Sequence, residues 1–289
     1  MKKVIINSLS ILTISIFSIS CDYVNNVNPA VDPSTGPVSN VIYRKALVED
    51  YTGHKCGNCP AAAITLSSLE SSFAGKIVPM AVHAGYFAYT NATYTTNFQT
   101  TAGDAYDTQF GNSVAGNPNG LVNRVGYGTG GFIKAHTVWG SEVSTIVTQA
   151  AKFQIRIKNT FNTGTSKLTS EVIVKSLANN TGHYKLVLLL TEDNIIAEQL
   201  DYALPVGAQF ITNYNFNHVL RGAINSEWGD AVFTTSANLN DSVVKTFTDF
   251  SVNSSYNPSK CHVIAYIYDS DSTSPTYYEV LQVEEEKVN

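Results

Sequence analysis

Two thiols sit three positions apart in Cys56-Gly57-Asn58-Cys59, with Pro60 directly behind them. A strand-like run, Lys45 to Thr52, leads into them, and a helix-like run, Ala61 to Phe73, follows. Paired thiols at a strand-to-helix junction are the layout of a dithiol/disulfide redox centre. On the first turn of a helix, positions i and i+3 share a face, so the two sulfurs can meet without distorting the backbone. At the amino end of the helix, Cys56 would face unpaired N–H groups and the positive pole of the dipole, and both favour the thiolate. His54 and Lys55 add positive charge nearby. The expectation is therefore an exposed Cys56 sulfur that attacks and a Cys59 that resolves. Pro60 costs the helix no hydrogen bond there.

Other chemistries fit less well. Haem attachment needs His after the second Cys, and residue 60 is Pro. A zinc site needs a second pair of ligands, and beyond this pair the sequence offers Cys261 and scattered histidines. No metal and no other cofactor is expected. An inert structural disulfide stays open as an alternative. Its loop is short, however, and a bridge restrains the unfolded chain less as its loop shrinks, so chemistry is the stronger reason for the pair. Cys261 opens an apolar run and reads as a core thiol. No lone peroxidatic cysteine stands out, so peroxide reduction is remote.

The elements that must position the pair alternate from Val41 to about residue 152. A strand at Arg44–Tyr51 is followed by a helix from Pro60 to Ser72 and a buried strand at Ile77–His83. Phe98, Ala102, Ala105, Tyr106 and Phe110 are spaced for a helix face. Gly116-Asn117-Pro118-Asn119-Gly120 is a tight turn into a strand at Leu121–Val125, and a helix follows over Trp139–Lys152. This is a small α/β layer pattern. At Phe153 the period changes to two: Phe153, Ile155 and Ile157 alternate with Gln154, Arg156 and Lys158, as in a half-buried antiparallel strand. Similar runs lie at 168–177, 184–191, 243–252, 262–268 and 277–283. The fold class expected is α+β in two domains, an α/β domain over 41–152 and an all-β, immunoglobulin-like sandwich over 153–289.

Size and charge narrow the partners. Without its first 20 residues the chain is about 270 long, near the size at which one core divides in two. Its net charge of −5, with no basic block, argues against nucleic acid. Met1-Lys2-Lys3, an apolar run to Ile19 and the small residues before Cys21 resemble a bacterial lipoprotein signal (residues 1–20). Cleavage would leave Cys21 as the lipid-bearing first residue. A plain secretory signal is the alternative. Either takes the protein out of the reducing cytosol. Asp22 to Asn40, rich in Asn, Pro, Ser and Gly, completes a tether over 21–40 able to reach roughly 60 Å at about 3.3 Å per residue.

The segment Val48 to Pro60 resembles the active-site strand, turn and helix of the thioredoxin superfamily. The chain as a whole resembles the twenty-eight-kilodalton outer-membrane-protein (Omp28-related) family of Gram-negative lipoproteins. Asp50 to Pro60, Asn117 to Arg124, and His218 to Asn225 with Trp228-Gly229 carry that resemblance. It implies a thioredoxin-like first domain and a place in the outer membrane through the lipid anchor; the dithiol site itself carries the expectation of thiol–disulfide exchange on extracytoplasmic proteins. Pro118 falls where that superfamily places a cis-proline that docks substrate peptide; an ordinary turn proline is the plain alternative. Asp50 falls where it places a buried carboxylate that moves a proton at the resolving cysteine. Glu49, on the opposite strand face, competes for that role, and a solvated acid at a strand end is the plain reading. His83 could line the same cleft, Arg124 suggests a structural ion pair, and His218, Arg221 and Trp228 could form a second surface. A surface-binding lipoprotein with a vestigial disulfide is the second functional expectation.

Overall fold

The strand that leads to the two thiols is buried on both faces along its whole length, as befits a strand inside a sheet covered on each side. The computed structural model describes residues 41–289. The expected signal at 1–20, Cys21 and the tether at 21–40 lie outside the described residues.

In chain order the first half holds β1 (Ala46–Thr52), α1 (Cys59–Ser72), β2 (Ile77–His83), α2 (Thr101–Phe110), α3 (Asn112–Ala115), β3 (Asn119–Val122) and α4 (Trp139–Ile146). The second half is built from strands: β4 (Phe153–Asn162), β5 (Lys167–Ser176), β6 (Asn180–Thr181), β7 (Tyr184–Glu192), β8 (Ile195–Leu200), β9 (Phe210–Phe216), β10 (Val219–Ala223), β11 (Asp230–Phe233), β12 (Ser236–Ala237), β13 (Ser242–Ser251), β14 (Cys261–Asp269) and β15 (Val280–Lys287). Local chemistry sets several ends. The Thr100 side chain accepts a hydrogen bond from the Gly103 N–H and caps α2, and Gly111, at φ 75°, closes it in the left-handed conformation. The last helix of the first half stops at Ile146, short of the expected Lys152.

Seven strands run in the order β15-β14-β7-β10-β2-β1-β3, and β11 also pairs with β7. β1 and β2 are parallel, while β3 lies antiparallel to β1. The sheet does not stop at the expected boundary of 152/153. β10 pairs with β2 through Val219 and Ala81, and on its other edge it pairs antiparallel with β7. Residues 41–289 accordingly form one compact unit. The change of period at Phe153 marks a change of layer instead. β4, β5 and β13 form a second, three-stranded sheet whose Phe153, Ile155, Val172 and Val174 pack on Leu186, Leu188, Val263 and Ile267 of the large sheet.

The alternation along β1 sorts its neighbours. Ala46 and Val48 face α1 and α4, packing on Ala62, Leu66, Trp139 and Val143. Leu47 and Tyr51 face the other way, toward Tyr106 and Phe110 of α2. Each large apolar side chain buried in these layers contributes about 1.5–3 kcal/mol. By the same alternation Asp50 lies on the α1 side and Glu49 on the α2 side.

Candidate functional site

The turn from β1 to α1 carries the two thiols, joined as a disulfide. Helix α1 starts at Cys59 rather than beside Cys56, with Asn58 as its cap residue. The Cys59 N–H donates to the Cys56 carbonyl at 3.1 Å. Cys56 was expected to present an exposed sulfur; it is 3 % exposed and Cys59 2 %.

What covers the turn is the β8–β9 hairpin, about 140 residues further along the chain. Leu200 N–H donates to the His54 carbonyl (2.9 Å), Gln199 Nε2 to the Cys56 carbonyl (3.1 Å) and Tyr202 N–H to the Gly57 carbonyl (2.8 Å). The Tyr202 ring lies so close over Gly57 that a β-carbon there would stand 2.5 Å from it. Glycine is what allows this approach. No residue of the hairpin entered the sequence expectations, yet Gln199, Tyr202, Tyr214 and Phe216 wall the site. The signal available was weak: Phe210, Tyr214 and Phe216 recur at even spacing after the Pro205-Val206-Gly207 turn.

Beneath the hairpin and beside α1 lies a cleft of about 250 Å³. Cys59, Pro60, Ile64 and Glu70 line it from α1, Asp50 and His83 from the sheet, and Gln199, Tyr214, Phe216 and His218 from the hairpin and its exit. Cys56 does not line it.

Asp50 is buried, and its Oδ1 finds no hydrogen-bond partner in the protein. Burial pushes its carboxyl up to about 7, with the charge of His218 pulling the other way. His83 is also buried with both ring nitrogens unpartnered, between the rings of Phe98 and Phe216. Burial holds it down to about 3, so it is neutral. His218 closes the far end of the cleft, its Nε2 3.1 Å from Glu70 and its Nδ1 3.4 Å from Asp193. Burial opposes its charge, but Glu70 and Asp193 outweigh that and raise its pKa. His54 was expected to lend positive charge. It is buried against Tyr94, and burial lowers its pKa.

Glu49 is committed elsewhere. Arg124 donates to both its carboxylate oxygens at 2.8 Å, and both side chains are fully buried. The guanidinium lies about 5 Å from the rings of Tyr106, Phe110 and Tyr266. Arg124 is thus the structural partner expected, and Glu49 is spent on it. Pro118 follows a cis peptide bond and borders a groove with Gly57, Asn58, His136 and Tyr202. The Asn119 side chain fixes this loop by donating to the carbonyls of Asn112 and Gly116 at 2.8 Å. Arg221 pairs with Glu192 at 2.8 Å, Trp228 packs in the aromatic group around Phe110, and His218 lines the cleft beside α1. Cys261 is buried in the strand core.

The sequence profile described as Outer membrane protein Omp28 matches residues 103–289. The chain belongs to that family. The family name places it among outer-membrane or cell-envelope proteins. Among solved structures, HBP35 of Porphyromonas gingivalis is similar over 85 % of this chain and 76 % of its own, at 12 % identity and a TM-score of 0.61; this is a likeness of fold. A protein of Agrobacterium tumefaciens aligns over 86 % of this Omp28-family chain and 96 % of its own, at 14 % identity and a TM-score of 0.48. No curated protein matches the sequence.

Proposed function

We propose that this is an envelope thiol–disulfide exchange protein, held to the membrane by lipid on Cys21. The Cys56–Cys59 pair sits in a thioredoxin-like core whose sheet is extended by strands of the C-terminal half. It exchanges with thiols and disulfides of extracytoplasmic molecules, proteins among them, Pro118 flanking the turn that holds it. Asp50 supports this reading above all. It is a buried, unpartnered carboxyl that lines the same cleft as Cys59. Such a group costs stability, and a disulfide that merely braced the turn would have no use for it. With its pKa near 7, Asp50 gives a proton to Cys59 when that sulfur leaves and takes one back when Cys59 attacks.

The burial of both sulfurs favours a second reading, a surface-binding lipoprotein whose disulfide only closes a turn. Single Cys56→Ser and Cys59→Ser variants, expressed in the envelope and run on non-reducing gels, separate the two. Exchange predicts that at least one variant accumulates mixed disulfides with other molecules. If neither forms any, the disulfide is structural.

A further inference from the structure

Resting on the exchange reading, we propose that the covered form seen here takes a low-molecular-weight thiol as its substrate, and that the sulfur it attacks is Cys59, not Cys56. The two sides of the disulfide differ. On the Cys56 side the hairpin closes the turn with three hydrogen bonds, to the carbonyls of His54, Cys56 and Gly57, and with the ring of Tyr202. A protein-sized substrate would have to displace that cover. On the Cys59 side the cleft is formed already, and Ile64 at its mouth is 68 % exposed. Tyr214 and Phe216 supply an apolar wall, and the unpartnered Asp50 and His83 supply polar atoms within it.

The chemistry balances with the thiol as the sole co-reactant. A thiol RSH enters, passes its proton to the Asp50 carboxylate and attacks the Cys59 sulfur as thiolate. The Cys56–Cys59 bond breaks and its electron pair leaves on Cys56, which takes a proton from water while Asp50 returns its own to water. A second RSH gives its proton to Asp50 and attacks the R sulfur of the Cys59–SR mixed disulfide. RSSR leaves, and Cys59 departs as a thiolate and takes that proton. Two thiols are oxidised and one protein disulfide is reduced; run backwards, the same steps reduce a small disulfide. A group with a pKa near 7 is suited to carrying the proton both ways at neutral pH.

The test uses the full chain and two sizes of probe. The reduced single variants Cys56→Ser and Cys59→Ser are treated with cystamine and followed by mass spectrometry. Cys59 should react about tenfold faster than Cys56, since access sets the rate of exchange. In the intact disulfide protein, cysteamine should reduce the bond while a thiol carried on polyethylene glycol lags far behind. Ile64→Trp, which narrows the mouth and keeps the disulfide, should slow cysteamine by about tenfold. If Cys56 is the faster sulfur, or the polymer thiol keeps pace, the small-thiol assignment falls and exchange through a displaced hairpin stands. If neither probe reacts at all, the exchange reading falls with it.

Discussion

Replacing Asp50 by Asn removes a charge the fold is poorly built to hold. The carboxyl is 2 % exposed, and burial lifts it to about 7 from an ordinary 3.8. Because the folded-state value lies above the unfolded one, the neutral form is the one the fold favours. Stability is therefore full below about pH 3.8 and declines as pH rises through about 7. The gap of about 3 pH units, at about 1.4 kcal/mol each, makes about 4 kcal/mol in total. About 2–3 kcal/mol of that falls between pH 5 and pH 8. Asn matches the neutral acid in shape and carries no such cost. Urea unfolding of the oxidised full chain should accordingly show D50N gaining on the parent by about 2–3 kcal/mol between pH 5 and pH 8. Glu285, pushed to about 7 by burial, titrates in both proteins, so the difference between the two reports Asp50 together with its coupling to His218. A gap that stays flat across that range would show that Asp50 is solvated or paired, and the proton-carrier argument would lose its basis.

Arg124→Met strands the Glu49 carboxylate in the core and should cost about 3–5 kcal/mol by the same unfolding assay, with most of it recovered in the Glu49→Gln/Arg124→Met double variant. Gly57→Ala sets a methyl against the Tyr202 ring at 2.5 Å; the hairpin should lift, and a bulky thiol should reduce the disulfide several-fold faster. An unchanged rate would mean that the hairpin is not the cover. Cys261, buried and pushed up to about 12 by that burial, should resist alkylation in the folded protein at pH 9 and react once urea unfolds it.

Much of the frame was legible because it is local. Ile77–His83 appears as expected, and α1 and β1 differ from expectation by one or two residues at their ends, which is ordinary for element boundaries. The opposite fates of Glu49 and Asp50 follow from alternation along one strand, and the structural ion pair expected of Arg124 is the one it makes with Glu49. The cover over the disulfide was not legible. It depends on contacts between Gln199 or Tyr202 and the turn at 54–57, and no local period encodes a pairing so distant in sequence. Strand β8 is patterned only weakly, because its buried positions are Ala197 and Gln199, one small and one polar. The large sheet shared by the two halves escaped for a related reason. β10 is short and meets β2 through one registered pair, so the link between the two halves leaves no periodic trace.

The central claim is that the Cys56–Cys59 bond, although covered, is exchanged rather than merely kept. Equilibrating the purified protein in glutathione buffers of graded ratio and counting free thiols by mass spectrometry gives its reduction potential directly. A value near or above about −200 mV is the predicted result. A bond that stays oxidised below about −300 mV behaves as a structural one and would contradict the account.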